Sequence, residues 1–298
     1  MKAVVVDGFG GPEQVRVVEV AVPRPEAGQV RIRVRAAGLN PVDGGVRAGV
    51  FGGEGQRIGL GWDVAGEIDE VGAGVTGWSA GQRVVGLHYG TVKPLGSHAE
   101  YVVLDATAIA AAPAGVDTTT AAGFPLAALT AARSVDLLGL AAGASVLITG
   151  AAGVVGALAV QLAARAGLVV TALAGADDEA YLRSLGATGF VRRGEAPAEQ
   201  VDGVLDTAVL GGPALGFVRD GGVYVGVIPH AAPAAERGVR VVEQEVAADG
   251  EHLARLVTLV EEGALALRVA EVFDLADAAK AHDRLATPGV RGRIILTP

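Results

Sequence analysis

The chain has 298 residues, 51% of them hydrophobic, with a formal net charge of -9 and no cysteine. That length suits two domains of ordinary size with a large buried core, and the acidic balance argues against nucleic acid, whose binding needs a basic surface. Without cysteine there is no disulfide, thiolate zinc site, iron–sulfur cluster or cysteine nucleophile.

The first residues, Met1–Asp7, turn acidic after three valines and do not read as a signal peptide. No apolar run reaches the roughly 18–20 residues of a membrane helix, so a cytoplasmic location with no membrane partner is expected. Basic residues are almost all Arg; only Lys2, Lys93 and Lys280 differ. Residues 1–110 read as β-rich, with short runs at Val4–Val6, Val15–Val20, Gln29–Ala36, Gly66–Val71, Arg83–Gly86 and Ala99–Val103. Gly and Pro turns separate them. From about 118 to 228 strands alternate with helices, the pattern of a parallel sheet built from βαβ units. The strand cores are Ser145–Thr149, Val169–Leu173, Val204–Asp206 and Val223–Ile228, with a helix at Val154–Ala166. A further helix, Glu251–Glu262, and a last strand, Arg293–Thr297, close the chain. The expected fold class is α/β, a discontinuous first domain at 1–118 and 249–298 with a nucleotide-binding domain at 119–248 inserted.

The stretch from Val146 to Gly156 runs from a buried strand into glycines and then a helix. Gly150 allows a tight turn, Ala152 and Gly153 let backbone approach a diphosphate, and Gly156 lets the helix pack against the sheet. The amides of Val154 and Val155 open the helix toward the phosphates. An ordinary strand-to-helix turn has the same letters, but here the following helix and second strand are in place.

Several segments carry a family resemblance: Ala37-Gly38-Leu39-Asn40-Pro41-Val42-Asp43, Gly61-Trp62-Asp63-Val64-Ala65-Gly66, Ala99-Glu100-Tyr101-Val102, Pro125–Ala131 and Arg291–Leu296. In this order they resemble the zinc-independent quinone oxidoreductases of the medium-chain dehydrogenase/reductase superfamily. The resemblance implies a GroES-like β-barrel catalytic domain and a Rossmann domain. It also implies hydride transfer from NADP(H) to a quinone or an α,β-unsaturated carbonyl without metal. A biosynthetic enoyl reductase or cyclase of the same fold, or a non-catalytic cofactor-binding protein, stays open beside it. The metal-using relatives carry Cys and a Gly-His-Glu motif; here Gly61-Trp62-Asp63 stands in that place, and the five histidines lack ligand spacing.

The resemblance puts Asn40 and Asp43 beside nicotinamide and substrate, although Asn-Pro and Asp-Gly also favour a plain turn. It puts Thr130 at the nicotinamide end, the alternative being a helix-surface hydroxyl bonded to its own backbone. Phe51 stands where relatives often keep a tyrosine, so His88 and Tyr89 are the candidate proton donors, Tyr89 foremost. The alternative is that solvent supplies the proton and His88 and Tyr89, with Phe51 and Trp62, only shape the pocket. The second nucleotide-domain strand ends in Gly175 with no acid until Asp177, which stands about where the resembled family keeps a cation, and Arg193 falls where relatives often keep a tyrosine at the phosphate. This favours NADPH over NADH, the alternative being that Arg192 and Arg193 are a solvated loop pair. Thr207, the loop Gly226-Val227-Ile228 and Arg293 complete the cofactor expectations, with Arg293 on an edge strand as the alternative. The apolar run Gly238–Glu245 suggests an edge through which a homodimer forms.

Overall fold

The computed structural model describes residues 1–298. In chain order the strands are β1 (Lys2–Val6), β2 (Val15–Glu19), β3 (Gln29–Leu39), β4 (Ile58–Gly59), β5 (Asp63–Val71), β6 (Arg83–Leu87), β7 (Tyr101–Asp105) and β8 (Ile109–Ala111). There follow β9 (Ser145–Thr149), β10 (Val169–Ala174), β11 (Gly189–Arg192), β12 (Val201–Asp206), β13 (Val218–Gly226), β14 (Arg240–Glu243), β15 (Val269–Asp274) and β16 (Arg293–Thr297). The helices are α1 (Pro41–Arg47), α2 (Thr118–Ala122), α3 (Pro125–Leu138), α4 (Val154–Arg165), α5 (Glu179–Ser184), α6 (Gly212–Leu215), α7 (Gly250–Glu261) and α8 (Ala278–Ala286).

Two compact units result. Unit 1 comprises residues 1–126, 247–263 and 267–298; unit 2 comprises 127–246 and 264–266. The change of unit falls after Leu126, later than residue 118, because α2 packs on β3 and β5 of unit 1.

In unit 1 the sheet order is β15-β16-β3-β5-β6-β8, with β7 also paired to β3. The C-terminal strand β16 lies antiparallel to the end of β3, with Ile294 opposite Leu39. Arg293 therefore sits on an interior strand, not an edge. A core of Val30, Ile32, Val64, Val84, Val102 and Ile109 fills the barrel-like part. It arises because alternate residues of β3 face inward, the period-2 rule of strands.

Unit 2 is a six-stranded sheet in the order β11-β10-β9-β12-β13-β14, parallel at every pairing. The order reverses between β9 and β12, the position at which doubly wound sheets open a ligand crevice at the carboxyl ends of their strands. β9 reads Ser-Val-Leu-Ile-Thr and its last four residues are buried, as a central strand covered on both faces requires.

The turn expected at Asn40–Gly44 is instead the start of α1. Asn40 is its N-cap, Pro41 its first residue, and Asp43 returns a carboxylate to the Asn40 amide at 2.8 Å. Cap, proline and capping-box acid together outweigh the two glycines inside the helix.

Candidate functional sites

At the crevice of unit 2 the chain leaves β9 through Gly150, whose φ of +58° favours glycine. A Cβ there would stand 3.0 Å from Thr207 Oγ1. Gly153 caps α4 without any side-chain cap, so the first amides of the helix, Val154 and Val155, are left to a ligand at its positive end. Gly156 must be glycine because a Cβ would lie 2.8 Å from Ala151 Cα and closer still to the Gly150 carbonyl. A cleft of about 540 Å³ opens over this turn, lined by Gly150, Ala152, Gly153, Ala174, Arg193 and Leu210 among others.

Gly175 follows β10 and opens a short turn whose Asp178 is buried beneath it. The Arg193 amide donates to the Ala174 carbonyl at 2.7 Å, fixing an exposed arginine at the rim. Glu195 lines the same cleft. The cradle, the open helix end and the rim cation fit the diphosphate and a further phosphate of a dinucleotide.

Sequence reasoning missed the anchor of this cleft. Asp206, fully buried, accepts from Thr149 Oγ1 at 2.5 Å, the Gly211 amide at 2.8 Å and the Tyr224 hydroxyl at 2.7 Å. Burial and then the Asp206 carboxylate push the Tyr224 phenol well above its ordinary value. Thr207 turns its hydroxyl back to the Thr149 carbonyl at 2.5 Å, so it ties the turn together. Val209 just beyond holds φ +56°, unfavourable for a β-branched residue, at the edge of the lining. Gly226 ends β13, and Val227 and the exposed Ile228 follow it. Thr130 is 8% exposed on α3, and its carbonyl accepts from Ser134 Oγ; it is not a surface hydroxyl.

Unit 1 holds a second concentration of polar groups, all buried. Asn40 Nδ2 donates to Asp63 Oδ2 at 2.9 Å and to the Gly38 carbonyl at 3.2 Å. Asp63 Oδ1 accepts from the Leu126 amide at 2.6 Å. Burial raises the Asp63 carboxyl to about 6, with Asp43 adding to the rise; the Arg293 charge and the Asn40 and Leu126 hydrogen bonds work against it. Both oxygens of Asp43 are engaged by backbone, the Asn40 amide and the Gly61 amide, each at 2.8 Å. Its geometry is that of a structural cap. Arg293 is 5% exposed and directs its guanidinium at the Leu39 and Gly123 carbonyls, at 3.3 and 3.4 Å.

Trp62 is buried, and Tyr89 meets its ring edge-on at 5.3 Å, with Tyr89 and Phe51 both largely exposed. Burial, reinforced by the Lys93 charge, pushes His88 down to about 3. A neutral imidazole is a poor proton donor, so His88 loses that role by its surroundings. Lys93, which sequence reasoning passed over, lies in the same segment.

No group of three or more His, Cys, Asp or Glu is placed to hold a metal ion. With Trp62 and Asp63 at the start of β5 and no thiolate in the chain, the donor set does not fit zinc. No helix is long and apolar enough to cross a membrane.

Residues 26–114 match the alcohol dehydrogenase GroES-like domain and 174–296 the family described as zinc-binding dehydrogenase. The chain is 30% identical over 317 residues to the NADPH-dependent alkenal/one oxidoreductase of Arabidopsis thaliana, covering 100% of this chain and 80% of that one. It is 31% identical to the 2-methylene-furan-3-one reductase of Solanum lycopersicum, covering 94% of this chain and 74% of that one. Among solved structures, the quinone oxidoreductase of Coxiella burnetii superposes with a TM-score of 0.90 at 29% identity. It covers 100% of this chain and 99% of that one.

Proposed function

Because the chain belongs to the quinone oxidoreductase family of the medium-chain dehydrogenase/reductase superfamily, we propose that it reduces a quinone or an α,β-unsaturated carbonyl with NADPH. When bound, the reduced dinucleotide supplies the hydride. The protein's part is to hold and orient it. The Gly150–Gly156 turn and the first amides of α4 grip the diphosphate, and Arg193 meets the 2′-phosphate. Gly175, Thr207 and Gly226–Ile228 line the remaining length through backbone, and Thr130 serves the nicotinamide end.

The observation that carries this reading is the arginine at the rim of a glycine cradle, where β10 ends in Leu173 and Ala174 followed by Gly175 and the nearest carboxylate, Asp178, is buried under that glycine. Asn40 then supplies the polar contact in unit 1, and Phe51, Trp62, His88 and Tyr89 shape the acceptor's surroundings. Asp43 and Arg293 hold that region together from within.

The assay is the loss of absorbance at the reduced nicotinamide band with one quinone and one enone. Consumption with either supports the reading, and a preference identifies the acceptor class. No consumption with both would overturn it.

The same reading includes a cytoplasmic homodimer. β14 is an edge strand of the unit 2 sheet, carrying Val241 and Val242, and an unpaired apolar edge invites pairing with a second copy. A sedimentation mass near that of one chain would exclude the dimer.

A further inference from the structure

Lys93 is unusual among the lysines of this chain. It is 8% exposed, and lysine is almost never buried unless paired. No carboxylate forms an ion pair with it; its Nζ donates to the His88 carbonyl at 2.6 Å and stands 4.9 Å over the Trp62 ring. A carbonyl and an aromatic face stabilise an ammonium far less than a carboxylate would. The amine thus stands among groups that tolerate its charge and release its proton readily. Both His88 and Trp62 belong to the acceptor surroundings proposed above, and Tyr89 packs edge-on against Trp62 at 5.3 Å.

We propose that Lys93 is the proton donor that completes the reduction, a role that rests on the reductase reading. Hydride addition leaves the electron pair of the broken π bond on the acceptor, as an enolate or a quinol anion. The Lys93 ammonium gives its proton to that anion and becomes a neutral amine, then recovers a proton from solvent. One acceptor, one NADPH and one proton give one reduced product and one NADP⁺.

The electrostatics agree. Burial brings Lys93 down to about 7, with Asp43 and Asp63 holding the proton on. The other titratable groups facing it, His88 and His98, are both shifted downward by burial and stand neutral at that pH. A donor whose proton affinity lies near the working pH is the efficient one. Lys280, by contrast, is held above its ordinary value by Asp277.

Three lysines make the test direct. In protein labelled with ¹³C at lysine Cε, only Lys2, Lys93 and Lys280 give signals, and Lys93→Met assigns the middle one. The expected result is that the signal lost in Lys93→Met titrates near 7, below the signal of Lys280. A Lys93 signal that titrates together with that of Lys280 would overturn the proposal without any assay of activity.

The kinetic arm uses Lys93→Met and Lys93→Arg, the second keeping the charge but not releasing its proton. Both should lower kcat about 100-fold with little change in KM, and both should abolish the fall of kcat above about pH 7. With an enone prochiral at its α-carbon in deuterated water, the wild type should place deuterium on one face and the variants on both. If wild-type enzyme turns over and the variants keep its rate, pH limb and single-face labelling, the Lys93 role alone fails. If the wild type reduces neither acceptor, the reductase reading fails and this role with it.

Discussion

Replacing Arg193 by Ala isolates the cofactor-selecting charge without disturbing the fold, because the side chain is exposed and its amide link to Ala174 is backbone. A charge-assisted hydrogen bond contributes roughly 1.5–3 kcal/mol, and solvent at an open rim reduces this toward ~1–2 kcal/mol. Glu195 lines the same cleft and repels a phosphate, which keeps the net value toward the lower end. Since about 1.4 kcal/mol is tenfold, KM for NADPH should rise roughly tenfold. NADH carries no 2′-phosphate, so its KM should stay within about twofold of wild type on the same electrostatic argument. Steady-state rates with both coenzymes against one acceptor measure the ratio. Equal changes for the two coenzymes, or none for NADPH, would refute the assignment of this arginine.

Three further variants probe the scaffold. On an exposed helix Gly→Ala stabilises by up to ~1 kcal/mol. Gly156→Ala should instead destabilise by roughly 1–3 kcal/mol, since its methyl meets the Gly150 and Ala151 backbone; a raised melting temperature would contradict that packing. Asp206→Asn can keep an oxygen toward the Gly211 amide and the Tyr224 hydroxyl only by turning its amide onto Thr149 Oγ1, which must then give up its own donation to residue 206. With the lost charge this costs about 2 kcal/mol or some ~5 °C in Tm by thermal melting; an unchanged Tm would remove Asp206 as the anchor. Asp63 has its carboxyl raised from 3.8 to about 6, so the folded state binds more protons than the unfolded state in that window. Stability contributed by this group is therefore full below pH 4 and lost as pH rises through 6; the wild-type advantage over Asp63→Asn in denaturant titrations should shrink across that interval, and a constant difference would show that Asp63 is not the titrating group.

Much of the fold is legible in the letters. Ser145–Thr149 has a short apolar centre, Val146–Ile148, with β-branched residues and a glycine directly after it, and the short length with that flanking glycine marks a buried strand entering a turn. Arg293–Thr297 shows a similar apolar centre. Strands with mixed burial were not visible: β11 and β15 are half-exposed along most of their length, so neither an apolar run nor a clean alternation marks them. α1 was hidden by Gly44 and Gly45, which read as a turn until the cap geometry is considered.

The glycine cradle could be read because its residues are contiguous. The Asp206 anchor could not, since its donors arrive from 57 residues before and 18 residues after it. Lys93 left no signal either. Its loop has no periodicity, and its burial depends on Trp62 at a distant turn and on a backbone carbonyl that no sequence pattern identifies.

The most direct measurement is a fluorescence titration of the purified chain with NADPH and, separately, NADH. Saturable binding of one nucleotide per chain, tighter for NADPH and lost when α4 is pushed off its turn by a bulky residue at position 156, is the predicted result. A chain that folds yet takes up neither nucleotide would contradict the account at its root.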